Sequence, residues 1–390
     1  MFSLGNTNIF GRFIIIKKKF LSLAVACSLL AAVGGTSMTA NAVEAEEKAA
    51  QAVASEEVLG AAVDDEESTA ATVYGYYNET LKYRVDDDGT IIVIKYSGKD
   101  ESYTVPSKID GKPVKAVWGF SGCGTLKSVT ISEGITEIGQ DAFSNCKNLE
   151  KVNLPKTVTK IGSFAFYGCT SMKSFTIPEN VTWISSDTFA HCTALTSITV
   201  PSGVTGIHDD AFKYCAALKE VNLSEGPEKI FMGAFDHCTS LRSIYIPKTV
   251  KSIEISAFRG CTNLRGVAFA NDDVSYEPTW IFRDCPKLTI YGNIGSRSET
   301  YASESKIPFK PLSDFENDMN NGKAGDVDDD GHITSADALL MLRYSVNLEY
   351  FTEREKKLAN VDGDGIISSS DSLTVLRYSV GYRDKDTLIK

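Results

Sequence analysis

No two cysteines of this 390-residue chain form a CxxC pair, which excludes the thiolate metal sites that such pairs announce. Histidine is scarce, with four residues at positions 191, 208, 237 and 332. No Gly-rich nucleophile elbow, phosphate loop or metalloprotease helix occurs. The familiar hydrolytic and nucleotide-handling chemistries therefore have no signature here. Beyond Val33 no apolar run approaches the length of a membrane span. Positive charge is also short: 40 Lys and Arg stand against 51 Asp and Glu, for a net charge of −11. That balance opposes binding to nucleic acid or to an anionic membrane.

The N-terminus carries an export signal. Arg12, Lys17, Lys18 and Lys19 precede an apolar run from Phe20 to Val33, and then the small-residue stretch Ala40-Asn41-Ala42. This predicts a signal peptide over 1–42, a mature chain beginning at Val43 and a secreted, extracellular protein. Losing that segment removes four basic and no acidic residues, which takes the net charge from −11 to −15. Residues 43–72 are rich in Ala and Glu and predict an acidic, disordered linker. A short amphipathic helix over Glu46–Leu59 is the alternative.

The middle of the chain is a repeat. Cysteines recur every 23 residues at 123, 146, 169, 192, 215, 238 and 261, with one more at 285. Three residues before each stands a Phe, from Phe120 to Phe282, and three residues after each a Leu, or Met172 in one coil. Alternating pairs such as Val129/Ile131 and Ile198/Val200 follow, several of them closed by a proline, as at Pro155 and Pro201. A second apolar pair then appears, as in Val158/Ile161 and Val204/Ile207. A fixed period of about 20–29 residues, with a strand and a short helical turn per unit, means a solenoid. Stacked coils place Phe on Phe, Cys on Cys and Leu on Leu, and burying one such Phe or Leu is worth roughly 1.5–3 kcal/mol.

This pattern resembles the BspA-like leucine-rich repeat family over Tyr83–Leu312. The resemblance implies an α/β repeat fold, a leucine-rich-repeat solenoid of 23-residue coils. A hairpin over Tyr83–Tyr96, turning at Asp86-Asp87-Asp88-Gly89, fits an N-terminal cap, and Ser298–Lys306 reads as a capping helix. The solenoid with its caps is placed at 73–312, and 313–321 is read as a linker.

Eight cysteines in a mature secreted chain suggest disulfides, but stacking geometry argues otherwise. Equivalent residues on adjacent coils lie about 4.8 Å apart with parallel Cβ vectors, whereas a disulfide needs converging Cβ atoms nearer about 3.8 Å. The reading is buried free thiols acting as small hydrophobes, with disulfides or metal as alternatives. His191 and His237 precede cysteines two coils apart, too far to join in one triad. Asp141, Asp187 and Asp210 recur just before the helical turn and read as N-caps or first-turn acids. A glycosidase carboxylate pair is the remaining reading.

The C-terminal segment carries the strongest motif. The loops GDVDDDGHITSAD at 325–337 and ANVDGDGIISSSD at 359–371 match at an offset of 34 residues, and so do the stretches after them, including Leu342/Leu376 and Arg343/Arg377. Oxygen ligands at loop positions 1, 3 and 5, a carbonyl at 7, a carboxylate at 12 and Gly at 6 suit Ca²⁺. The first loop offers Asp326, Asp328, Asp330, the carbonyl of His332 and Asp337. The second offers Asn360, Asp362, Asp364, the carbonyl of Ile366 and Asp371. Two ions are expected, the second held more weakly because Asn360 replaces a charged ligand. Residues 317–324, rich in Asn and Gly, are poor helix material ahead of the first loop.

A loop followed by one helix, duplicated over Gly322–Leu388, resembles the type I dockerin family, and 322–390 is placed as that domain. The resemblance implies a small all-α calcium module with pseudo-twofold symmetry. It also implies a cohesin domain on a scaffoldin as partner, and a place in a cellulosome. The family's recognition positions fall at Ser335, Ala336, Leu342 and Arg343, and at Ser369, Ser370, Leu376 and Arg377. Ala336 departs from the usual hydroxyl pair, which bears on which cohesin is bound.

On the solenoid, Trp183, His208 and Phe231 flank the buried Ile of the second strand in three neighbouring coils. They predict an exposed aromatic patch suited to a sugar or peptide, with packing against a neighbouring loop as the alternative. The expected protein is a non-catalytic accessory subunit with a polysaccharide or cell-surface protein ligand. The alternatives are a glycoside-degrading enzyme with an unfamiliar site and a free-standing surface adhesin.

Overall fold

The computed structural model describes residues 73–276, 280–320, 324–328 and 332–380. The signal and linker segments expected at 1–72 lie outside them, and so does Asp330. Among the described residues no helix is long and apolar enough to cross a membrane.

Three antiparallel strands open the solenoid: β1 (Val73–Tyr77), β2 (Leu81–Val85) and β3 (Ile91–Tyr96). The β2–β3 pair is the expected hairpin. From there most coils contribute two short strands that pair in parallel with those of neighbouring coils, in several separate runs; the coil around Ser174 keeps only a single bridge to Ser197. Trp183 faces Gly206 and Ile184 faces Ile207, while Ile198 faces Val221 and Val200 faces Leu223. Each of these pairings advances by one repeat. The first strand of a coil buries alternate residues, as in Ser197–Val200, where Ile198 and Val200 point in.

The core is a set of columns. Phenylalanine rings stack from coil to coil at 5.1–5.7 Å between centroids, from Phe120 to Phe282. Tyr96 stacks on Phe120 at 4.7 Å, and Tyr301 meets Phe282 edge-on at 6.0 Å. The column is thus closed at one end by the hairpin and at the other by helix α1 (Arg297–Ser305). Ser296 caps that helix and Lys306 ends it in the left-handed region.

The cysteine column does more than fill space. Each Sγ from Cys146 onward donates to the carbonyl of the Phe one coil earlier: Cys146 to Phe120 at 3.0 Å, Cys169 to Phe143 at 3.2 Å, Cys192 to Phe166 at 3.1 Å, and so on to Cys285. The same carbonyls also accept the N–H of their own coil's Cys, for example Cys169 N to Phe166 O at 3.2 Å. Burial pushes the Cys169 thiol up to about 12, and those of Cys192, Cys215 and Cys261 well above their ordinary value. Treating these residues only as small hydrophobes missed this hydrogen bond.

Two expectations change. The helical turn of each coil is a run of turns rather than a helix, so the repeat is a β-solenoid. Its cause is a pair of left-handed residues per coil: Asp141, Asp187 and Asp210 at φ 54–56°, and Asn145, His191, Tyr214 and His237 at φ 57–60°. The recurring aspartates are therefore not N-caps. They hold a conformation that short polar side chains tolerate better than most. Further, Phe315–Asn320 form helix α2, within the segment 313–321 expected to be a linker and overlapping the stretch expected to be poor helix material. Asp318 accepts from Tyr291 and Lys310, and the Phe315 ring lies 6.4 Å from that of Tyr245, so this helix packs on the solenoid.

The C-terminal region is all-α: α3 (Ser335–Ser345), α4 (Glu353–Ala359) and α5 (Ser369–Ser379). Its core is small, built on Val327, Ala338, Met341, Phe351, Ala359, Val361 and Val375.

Because buried thiolates are disfavoured, the native protein should react slowly with a thiol reagent at the six cysteines from Cys146 to Cys261. Cys123 and Cys285, partly exposed at the two ends of the column, should react first. Denaturation without oxidation should release all eight. Four mapped disulfides would contradict the ladder.

Candidate functional site

The two acidic loops are built alike, and in each the final aspartate closes the loop. Asp337 Oδ1 accepts from the backbone of Val327 at 2.7 Å and of Asp328 at 3.1 Å. Its Oδ2 accepts from the N–H of Thr334 at 2.8 Å and from the Thr334 hydroxyl at 3.3 Å. Asp371 repeats this on Val361 at 3.0 Å, Asp362 at 3.4 Å, and the N–H and hydroxyl of Ser368 at 2.9 and 3.2 Å. Both carboxylates are fully buried. Thr334 and Ser368 cap α3 and α5 through capping boxes completed by these aspartates. One side chain therefore ties the start of the loop to the start of the helix.

Some of the other expected ligands gather near these clamps. Carboxylate oxygens of Asp326, Asp328 and Asp337 lie within 4.8 Å of one another, with Asp326 buried. In the second loop Asn360 Oδ1 is buried with no hydrogen-bond partner among the described residues. A buried orphan oxygen is costly unless something electropositive meets it, so this atom fits a cation ligand. Asp362 and Asp364 are exposed and accept from Asp364 N and Ile366 N at 3.1 and 2.7 Å. Gly365 takes φ 87°, the turn that loop position 6 requires. His332 is exposed, consistent with a role for its backbone alone. All-oxygen donor sets of this size suit Ca²⁺ rather than a softer metal.

Beyond the loops, α3 and α5 present corresponding residues to solvent. Ser335, Ala336 and Arg343 are exposed with Leu342, and Ser369, Ser370 and Arg377 with Leu376. The buried side of the same helices holds Ala338, Met341 and Val375. The sequence reading missed α4, although Thr352 and Glu355 spell a capping box that the structure contains.

On the solenoid the three predicted aromatics come together. The Trp183 and His208 rings lie 5.0 Å apart, edge to face, and His208 stacks on Phe231 at 4.4 Å. Lys229 Nζ stands 4.4 Å from the centre of the Phe231 ring. Gly206 floors the patch: a Cβ there would come within 2.7 Å of Trp183 and 3.2 Å of Phe231. Trp183 is 47% exposed.

A separate polar column runs along the left-handed turns. His191, Tyr214 and His237 stack at 4.9 and 4.8 Å, so the two histidines are joined through Tyr214 rather than touching. Asp236 receives Arg259 through two bonds at 3.0 and 2.8 Å and lies 2.7 Å from His237 Nδ1. Burial raises the Asp236 carboxyl, but these partners outweigh it and hold it below its usual range. Burial and then the charge of Asp210 push Asp187 up to about 7. Asp210 pairs with Lys213 at 3.2 Å in the same column.

Residues 118–242 and 228–302 match the BspA type leucine rich repeat region, in six copies, and residues 324–378 match the dockerin type I domain. No curated protein matches the chain. It is similar to the structure of a leucine rich cell surface protein from Faecalibacterium prausnitzii, with 25% identity over 57% of this chain and 77% of that one and a TM-score of 0.42. The T. pallidum leucine-rich repeat protein shows 27% identity over 60% of this chain and 97% of that one, with a TM-score of 0.42. A leucine-rich repeat protein from Bacteroides ovatus shows 20% identity over 63% and 76%, with a TM-score of 0.38. Neither matched family is catalytic, and calcium binding and a cohesin partner follow from the second. The chain carries a BspA-type leucine-rich repeat solenoid followed by a type I dockerin.

Proposed function

We propose that this protein is a secreted, non-catalytic accessory subunit of a cellulosome. The calcium-loaded dockerin attaches it to a scaffoldin cohesin, and the solenoid surface holds a polysaccharide or protein ligand during plant polysaccharide breakdown. The observation that best supports the reading is the identity of the two aspartate clamps. Asp337 and Asp371 make the same four hydrogen bonds, and each opens a helix with a solvent-facing Leu–Arg pair.

Asp326, Asp328, Asp330, the His332 carbonyl and Asp337 would hold one ion, and Asn360, Asp362, Asp364, the Ile366 carbonyl and Asp371 a second. Bound calcium supplies the positive charge that like-charged loop carboxylates need before they can share so small a volume. The protein's own part is to fix where α3 and α5 begin. Arg343 and Arg377 can then reach carboxylates or carbonyls at a contact rim while Leu342 and Leu376 fill its apolar centre. On the solenoid, the Trp183 face and the cationic edge at Lys229 suit a sugar ring or a peptide.

Calcium titration of the chelator-treated chain should reveal two ions, the first bound more tightly, with helical ellipticity rising on addition. The module buries too little apolar surface to fold firmly with its loop charges unanswered. Ellipticity indifferent to chelator would refute this. A cohesin panel should retain the protein in calcium and lose it in chelator. Changing Leu342, Arg343, Leu376 and Arg377 together to Ala should cost several kcal/mol of binding, as an order of magnitude for losing central anchors. Binding that survives the fourfold change would exclude this docking mode.

The solenoid needs its own test. Trp183→Ala with Phe231→Ala should lower retention on a glycan and protein array by about tenfold, in line with loss of one or two stacking contacts, and leave the far-ultraviolet spectrum unchanged. Hydrolysis of chromogenic glycans by the wild type, abolished in Asp187→Asn, would favour the enzyme reading instead.

A further inference from the structure

The residue just after the repeated Leu, at the mouth of each first strand, forms a column of its own: Lys127, Glu150, Lys173, Thr196, Lys219, Arg242 and Arg265. In the early coils the column is mixed, and Lys127 is answered by Glu101 at 2.9 Å. Three consecutive coils then carry a cation. Stacked coils set equivalent residues about 4.8 Å apart, so a run of like charges repels itself unless an acid meets it.

The acid comes from the dockerin. Lys219 Nζ lies 3.3 Å from Glu355 Oε1 and 3.8 Å from Glu349 Oε1, and it donates to the Tyr350 carbonyl at 3.2 Å. Arg242 lies 3.5 Å from the same Glu355 oxygen. It also donates to the carbonyls of Asp328 at 2.9 Å and Val327 at 3.5 Å, the backbone of the first calcium loop. Glu355 is 2% exposed, and burying a carboxylate that deeply demands partners of opposite charge. Lys219, Arg242, Arg265 and Asp328 line a cleft of about 110 Å³ along the junction.

We propose that the Lys219–Arg242–Arg265 column is the seat of the chain's own dockerin, and that this seating makes the second copy the face offered to a partner. The twofold likeness of the module is broken at the contact. Glu349 bridges outward to the solenoid and inward to Arg343, whose guanidinium lies 3.6 Å away. Arg343 is one of the first copy's exposed recognition residues, and here it leans on the seat. The positions 34 residues after Glu349 and Glu355 are Arg383 and Ile389 in sequence, so the two acids that meet the column are not repeated at the matching places of the second copy. Among the described residues Arg377 makes no ion pair, and α5 keeps Leu376 and Arg377 in solvent. A symmetric module would engage either way round; a seated one prefers α5.

The preference for α5 rests on the cohesin reading, whereas the seating does not, and the two are measured separately. Small-angle scattering of the full chain in calcium should give a compact particle for the wild type and a larger radius of gyration for K219E/R242E. Adding E349K to K219E should recover part of the compaction. Circular dichroism checks that each variant is folded. Equal radii for wild type and K219E/R242E, whether compact or extended, would overturn the seating. Against whichever cohesin of a panel binds, L376A/R377A should weaken the wild-type chain by about tenfold or more, as loss of a central anchor does. L342A/R343A should weaken it less than about twofold, and in K219E/R242E the two losses should become equal. Equal losses in the wild-type background would overturn the preference while leaving the scattering result to stand alone.

Discussion

The carbonyl oxygen of each repeated phenylalanine is the point on which the solenoid is hung. It accepts an N–H from its own coil and a thiol from the next, while its ring sits on the rings above and below. A β-solenoid turning in tight corners leaves backbone acceptors buried, and an unmet one costs about 1–3 kcal/mol. Cysteine is small enough for the corner and still brings a donor. Alanine would fit but leave the oxygen short of a partner, and serine would bring a stronger donor with a larger desolvation cost. The residue is periodic because the need is periodic.

The same constraint explains the left-handed turns and what sits at them. Two positions per coil turn through positive φ, and there Asp, Asn, Gly and histidine recur, with Phe164 and Tyr214 as bulkier exceptions. Once the backbone fixes these positions, side chains one coil apart must stack. The Tyr214 ring between His191 and His237, and Asp236 beneath Arg259, are the forms that stacking takes. Asp210 pairs with Lys213 and Asp236 with Arg259, while burial raises the carboxyls of Asp141 and Asp187. Such a column reads in sequence as scattered candidates for chemistry and in three dimensions as one structural seam.

Much was legible from spacing because a repeat converts sequence distance into contact. The phenylalanine and cysteine columns and the convergence of Trp183, His208 and Phe231 all follow from a single period, while the hairpin was legible from its turn residues and the capping helix from the need to close the stack. The twin loops and the matching places of Asp337 and Asp371 were equally plain, since the two copies repeat at a fixed offset. What escaped lay off the period. The S–H···O=C bond depends on the direction of a side chain, the positive φ of the aspartates on a local backbone choice, and helix α2 on packing against Tyr245 and Tyr291. Helix α4 could have been found from Thr352 and Glu355, and the cationic column from reading one position further past each Leu.

Tyr96 and Tyr301 close a stack whose interior units are interchangeable. A gain or loss of one whole coil in the middle leaves both lids, and every ring and thiol donor of the column, with an equivalent neighbour, so such events disturb the core less than most insertions do. Length can therefore drift under selection without any refolding of the ends. The dockerin contact spans adjacent coils and tolerates no such change within it. The solenoid is in that sense an adjustable spacer with one fixed bracket, and the distance between its N-terminal lid and the C-terminal module is open to evolution in steps of about one strand spacing.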